Sequence, residues 1–134
     1  MITTKGRYAL RVMIDLAEHE GEGHIPLKDV AERQGISKKY LEIIVRELVN
    51  AGFITGVSGK GGGYRLCRSP GEYTVGEILE RMEGPIASVA CLASGAAPCP
   101  RASDCATLPL WEEYDRLTRD FFYGKRLSGL LGKG

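Results

Sequence analysis

The chain has 134 residues, 43% of them apolar and 26% charged, with a formal net charge of +1; this is the profile of a single globular domain with room for a hydrophobic core, and it excludes both a disordered polyelectrolyte and a polycation. No apolar run is long enough to span a bilayer, and residues 1–20 contain no continuous apolar segment of signal-peptide type, so a cytoplasmic protein with reduced cysteines and no membrane partner is expected. Any nucleic-acid surface must therefore be local, and between Ile36 and Arg68 six cationic side chains (Lys38, Lys39, Arg46, Lys60, Arg65 and Arg68) stand against two carboxylates, Glu42 and Glu47.

Tyr8, Ala9, Val12, Met13, Leu16 and Ala17 recur at helical spacing and predict a first helix from about Thr4 to Glu20, ended by Gly21 and Gly23. A short second helix should follow Pro26, turn Leu27, Val30 and Ala31 inward, and stop at Gly35. Ser37 is a good N-cap for a third helix, in which Leu41, Ile44, Val45 and Leu48 point to the core at i, i+3, i+4 and i+7. The opposite face of that helix begins with Ser37, Lys38, Lys39 and Glu42.

After Gly52 the period shortens. Phe53–Val57 and Tyr64–Arg68 are short β-branched and aromatic segments around the glycine-rich stretch 58–63, which reads as a two-stranded ribbon with Lys60 and Gly61 at its tip. Cys67, in the second strand, is expected to pack as a small apolar side chain. Thr74 should cap a fourth helix that closes at Gly84 and Pro85. The next segment carries Cys91, Cys99 and Cys105 with spacing C-x7-C-x5-C, in a loop too rich in Ala, Gly and Pro for helix or strand. That spacing is too wide for a C-x-x-C redox pair and leaves an odd thiol for disulfides, whereas three nearby thiolates can converge on a soft metal ion or an iron–sulfur cluster. From Pro109 a final helix carries Leu110, Trp111, Tyr114, Leu117, Phe121 and Phe122, more large apolar surface than the last helix of a small domain needs, which points to burial against a second copy.

A short helix, a turn, a second helix with a basic leading edge and a glycine-tipped ribbon form the layout of a winged helix-turn-helix in a mainly α protein. In such a layout the second helix of the pair lies in the major groove and the ribbon follows phosphates or enters the minor groove. No paired acid and base, nucleophile motif or phosphate-binding signature is present, so an enzyme is not expected.

The segments TTKGRYALRVMIDLA, ERQGISKKYLEIIVRELVNAGFI, GKGGGYRL and YTVGEILERMEGP, in this order, resemble the Rrf2 family of bacterial transcription regulators. The resemblance implies a homodimer that binds a pseudo-palindromic double-stranded operator, with Ser37, Lys39, Tyr40 and Glu42 facing DNA, beside Lys38 of the basic helix edge, and Lys60 and Gly61 in the wing; Glu42 could equally form a helix-surface pair with Arg46 at i+4. It implies that Trp111, Tyr114, Leu117, Phe121 and Phe122 form the dimer interface. It also implies that Cys91, Cys99 and Cys105 hold an iron–sulfur cluster, [2Fe-2S] or [4Fe-4S]. The fourth ligand is open: Leu108 and Arg7 stand where family members carry a histidine or a carboxylate, leaving Asp104, Glu112, Glu113 or a residue of the second copy. Ser58 stands where relatives often have a wing arginine. The expected organisation is a winged helix-turn-helix region over 1–84, a cysteine-containing sensor loop over 85–108 and a C-terminal dimerisation helix over 109–134. Two other readings stay open, a regulator of this type controlled by thiol oxidation or a partner protein without a cluster, and a small zinc- or metal-binding protein.

Overall fold

In the computed structural model, residues 2–85 and 105–132 are described. The chain folds as α1 (Thr4–Glu18), α2 (Leu27–Gln34), α3 (Lys38–Asn50), β1 (Ile54–Val57), β2 (Gly63–Leu66), α4 (Val75–Glu83) and α5 (Leu108–Tyr123), with short 3-10 turns at Pro70–Glu72 and Leu127–Leu130. This is the expected mainly helical winged helix-turn-helix. Among the described residues no helix is long and apolar enough to cross a membrane.

The core is built around α1. Its Ala9, Val12, Met13 and Leu16 are buried against Leu41, Ile44, Val45 and Leu48 of α3 and Ile78 and Met82 of α4. Helical periodicity therefore located the inward faces of α1 and α3. A charge is buried as well. Asp15 of α1 accepts from the Arg33 guanidinium at 2.8 and 3.0 Å and from the Gln34 amide at 3.0 Å. Both partners lie on α2, so the carboxylate fixes α1 against α2 and has donors for its lone pairs, as a buried charge requires. Its hydrogen bond raises the Arg33 pKa further.

The ribbon is antiparallel and pairs Ile54 with Leu66, Thr55 with Arg65, Gly56 with Tyr64 and Val57 with Gly63. A further extended residue, Ile25, docks on its far edge by two hydrogen bonds with Tyr64 of 2.8 and 2.9 Å. Gly63 permits this approach, because it holds φ +148° and a Cβ there would collide with the Ile25 carbonyl. The base of the wing is tied by Tyr73, whose fully buried hydroxyl donates to the Phe53 carbonyl at 2.6 Å and accepts from the N–H groups of Cys67 and Arg68, each at 3.0 Å. One side chain thus clamps the first strand's entry to the second strand's exit.

The last helix is shorter than the region 109–134. It ends at Tyr123, after which the chain turns back and pairs with the segment before α4: Val75 donates to the Lys125 carbonyl at 2.8 Å and Leu127 donates to the Tyr73 carbonyl at 3.0 Å. Leu127 is wholly buried by this return. Tyr123 itself lies across Gly76 of α4, where any Cβ would overlap its ring.

Candidate nucleic-acid interface

The turn from α2 to α3 is short because Gly35 takes the left-handed conformation at the end of α2 and Ser37 caps α3, its hydroxyl accepting the Tyr40 N–H at 3.2 Å. Ser37 is thereby both exposed and committed to the helix start. Lys38, Lys39 and Glu42 are exposed on the first turns of α3. Tyr40 differs from them. It is half-buried, with its ring edge-on to Tyr8 of α1 at 5.6 Å, and it packs against the core.

A groove of about 800 Å³ runs between α3 and the ribbon. Lys38, Glu42, Arg46, Val49 and Asn50 line it on the helix side, residues 56–59 on the ribbon side, and Lys28 of α2 at one end. Among the described residues neither the Glu42 nor the Arg46 side chain has a hydrogen bond or ion pair, so the helix-surface pair that their i, i+4 spacing allows does not form. The groove is a strip of three cations and one carboxylate, none of them paired among the described residues. Sequence reasoning passed over Arg46 and Lys28 as groove residues. For Arg46 the signal was present, since it continues the helical row of Lys38 and Glu42; Lys28 belongs to another helix and gave none.

At the wing tip Lys60 and Gly61 are exposed. Arg65 is exposed on β2, whereas Arg68 is turned inward, its guanidinium 4.3 Å from the Tyr73 ring centroid and 3.2 Å from the Glu77 carboxylate. Cys67 does not pack as expected. β2 ends at Leu66, and Cys67 is exposed at the mouth of a second cavity of about 590 Å³ beside the end of α1. Its backbone N–H, and not its thiol, is what the Tyr73 clamp uses. His19, at the end of α1, is half-buried with Nδ1 2.8 Å from the Asp15 carbonyl.

Of the three clustered cysteines, Cys91 and Cys99 lie outside the described residues, as does Asp104. Cys105 is half-buried immediately before α5, with Sγ 3.6 Å from the Thr107 hydroxyl. That hydroxyl and the backbone N–H groups of Thr107 and Leu108 pull the thiol below the ordinary cysteine range, because they stabilise the negative sulfur. A thiol that ionises readily is the donor a soft metal centre needs, so the one described member of the set fits such a centre. Glu112 and Glu113 are exposed on the first turns of α5. Among the described residues no three of His, Cys, Asp and Glu converge.

The long helix leaves Leu110, Tyr114, Leu117 and Phe121 between 55% and 60% exposed, with Trp111 and Phe122 half-buried. Toward its own chain α5 turns half-buried Trp111, Thr118, Phe122 and Tyr123 around the buried Asp115, and Arg119 pairs with Glu80 of α4. The apolar stripe faces outward.

The whole chain is similar to proteins of one kind. The family model described as Rrf2, iron-dependent transcriptional regulator, matches residues 2–133. The HTH-type transcriptional regulator IscR of Aliivibrio salmonicida is 38% identical over 130 residues, 97% of this chain and 76% of that protein. Among solved structures, CymR of B. subtilis, described as its global cysteine regulator, superposes with a TM-score of 0.80 at 34% identity, covering 100% of this chain and 98% of that one. IscR of T. potens gives a TM-score of 0.75 at 32% identity, covering 100% of this chain and 93% of that one.

Proposed function

The chain belongs to the Rrf2 family of transcriptional regulators, which are DNA-binding proteins and not enzymes, and on that premise we propose that it works as a homodimer whose two α3 helices enter major grooves of a pseudo-palindromic operator. The observation that carries this reading is the strip along α3, where the Lys38, Glu42 and Arg46 side chains stand exposed beside the wing, unpaired among the described residues. The lysines neutralise phosphates, and Lys60 with Gly61 brings the wing tip against the backbone. Glu42 is unfavourable near phosphate unless a cytosine amino group donates to it, so it penalises other bases at its position. Tyr40 and Ser37 hold the start of the helix in place.

Cys91, Cys99 and Cys105, in the same reading, are the ligands of an iron–sulfur cluster with a fourth, non-cysteine ligand. The family's description as iron-dependent and the readily ionised Cys105 support this. When bound, such a cluster supplies sensitivity to iron and oxidants. The chain's own residues provide a route from there to the DNA. Cys105 abuts α5, and the residues that follow α5 pair with Tyr73–Val75, whose Tyr73 hydroxyl clamps the wing base. A displacement at Cys105 is thus delivered to the wing by a rigid helix and a backbone pairing. A second reading, control by thiol oxidation with no cluster, draws on the accessible Cys67 and the depressed Cys105 thiol.

The test combines selection from a genomic fragment library with anaerobic reconstitution. A palindromic sequence should be enriched, Lys39→Ala should weaken binding to all sequences, and Glu42→Ala should mainly relax base preference. The reconstituted protein should contain iron and acid-labile sulfide and absorb visible light; Cys105→Ala should lose the chromophore and Cys67→Ala should keep it. No enriched sequence overturns the DNA assignment. A colourless protein overturns the cluster and leaves thiol oxidation, read as a peroxide-induced change in operator affinity.

A further inference from the structure

On α3, Lys39, Ile43 and Arg46 follow one another at i, i+4 and i+7, so they form one outward ridge of the helix. All three are exposed. Ile43 is 50% exposed and is absent from the hydrophobic core, whose share of α3 is Leu41, Ile44, Val45 and Leu48 on the opposite face. Among the described residues it belongs neither to the core nor to the apolar side chains packed on it. An isolated surface isoleucine is ordinary, but this one stands between two cations on the helix that faces DNA in the reading above, on which this inference rests.

A duplex offers such a ridge two kinds of surface. The phosphates and guanine edges attract Lys39 and Arg46, and the thymine C5 methyl is the apolar feature of the major groove. Hydrogen bonding is closed to Ile43, so no other base edge rewards it, and a polar edge placed against it loses its water without gaining a partner. The β-branched side chain is also nearly fixed at χ1 in a helix, so it presents its methyl groups with little further loss of rotamer freedom. We infer that Ile43 is a specificity-determining residue that packs on a thymine methyl group in each half-site, with Lys39 and Arg46 fixing the helix on either side of it.

The experiment uses the full chain and the operator recovered by selection from a random duplex library. Each thymine is replaced in turn by deoxyuridine, which removes only the C5 methyl group. At one thymine per half-site the replacement should weaken binding by about fourfold, the worth of one buried apolar carbon. Ile43→Ala should fold normally, since the side chain is outside the core, and should bind the thymine and uracil operators equally. Ile43→Val should retain a reduced preference. The inference is overturned if every uracil operator binds the unaltered protein as tightly as the original, or if Ile43→Ala still distinguishes the two. Those outcomes leave DNA binding itself intact, whereas recovery of no operator at all removes both this inference and the reading it rests on.

Discussion

At the scale of single residues, the functional side chains divide by whether the fold has already used their chemistry. Ser37 has given its hydroxyl to the Tyr40 N–H and Arg68 its guanidinium to Glu77, whereas Glu42 and Arg46 have given theirs to nothing among the described residues. Cys105 is primed by its neighbours: the Thr107 hydroxyl, then the Thr107 and Leu108 N–H groups, favour the thiolate. Its pKa is lowered, so the reactive form is populated at a lower pH than in a free cysteine. Peptide-resolved alkylation across pH in metal-free protein should show Cys105 reacting at a pH below that of free cysteine. Thr107→Val should move that onset upward; an unchanged onset would show that the hydroxyl is not the cause.

At the scale of elements, the join between the wing and α4 rests on a capping box. Thr74 accepts the Glu77 N–H at 3.1 Å, and the Glu77 carboxylate accepts the Thr74 N–H at 2.9 Å and pairs with Arg68 beyond it. Burial works to raise the Glu77 pKa, but the Thr74 N–H and the Arg68 guanidinium outweigh it and hold the carboxyl below its ordinary 4.5. A group depressed by folding contributes stability above its unfolded value and loses it as pH falls through the folded value. Denaturant midpoints should therefore be steady from neutral pH to about pH 5 and fall below about 4.5. Glu77→Gln should lower the unfolding free energy at neutral pH by about 1 kcal/mol and flatten the acid limb. An unchanged acid limb in that variant would assign the acid sensitivity to other carboxylates.

At the scale of the whole molecule, α5 packs one face on its own chain and leaves the other in solvent. Tyr123 on Gly76 and Arg119 on Glu80 attach it to α4, and the returning tail buries Leu127 in the core. Its opposite side leaves Leu110, Tyr114, Leu117 and Phe121 in solvent, a contiguous apolar row of the kind that a second copy covers. Light scattering should give twice the chain mass for the unaltered protein and a single chain mass for Leu117→Glu. That monomer should keep its thermal transition, because Leu117 is 60% exposed in the chain itself. It should also bind a two-half-site operator on the order of a hundredfold more weakly, since the second half-site is no longer engaged from the same particle. An unaltered mass in Leu117→Glu would place the dimer contact elsewhere.

Much of this architecture was written locally. The periodicity of Ala9 to Leu16 and of Leu41 to Leu48, the cap at Ser37, the capping box at Thr74 and the glycines of the wing each act within a turn or two of chain, so the elements and the exposed start of α3 could be read from the sequence by itself. Other features depended on residues far apart along the chain. Asp15 meets Arg33 across 18 positions, the Tyr73 hydroxyl meets Phe53 across 20, and Leu127 folds back onto Tyr73, and no local pattern announces any of these. Cys67 shows the same division: its apolar neighbours suggested burial, but the strand ends one residue before it and leaves the thiol outside. Local propensity and spacing decide which segments become helix or ribbon; only the packed fold decides which polar atoms are already satisfied, and so which remain for a partner.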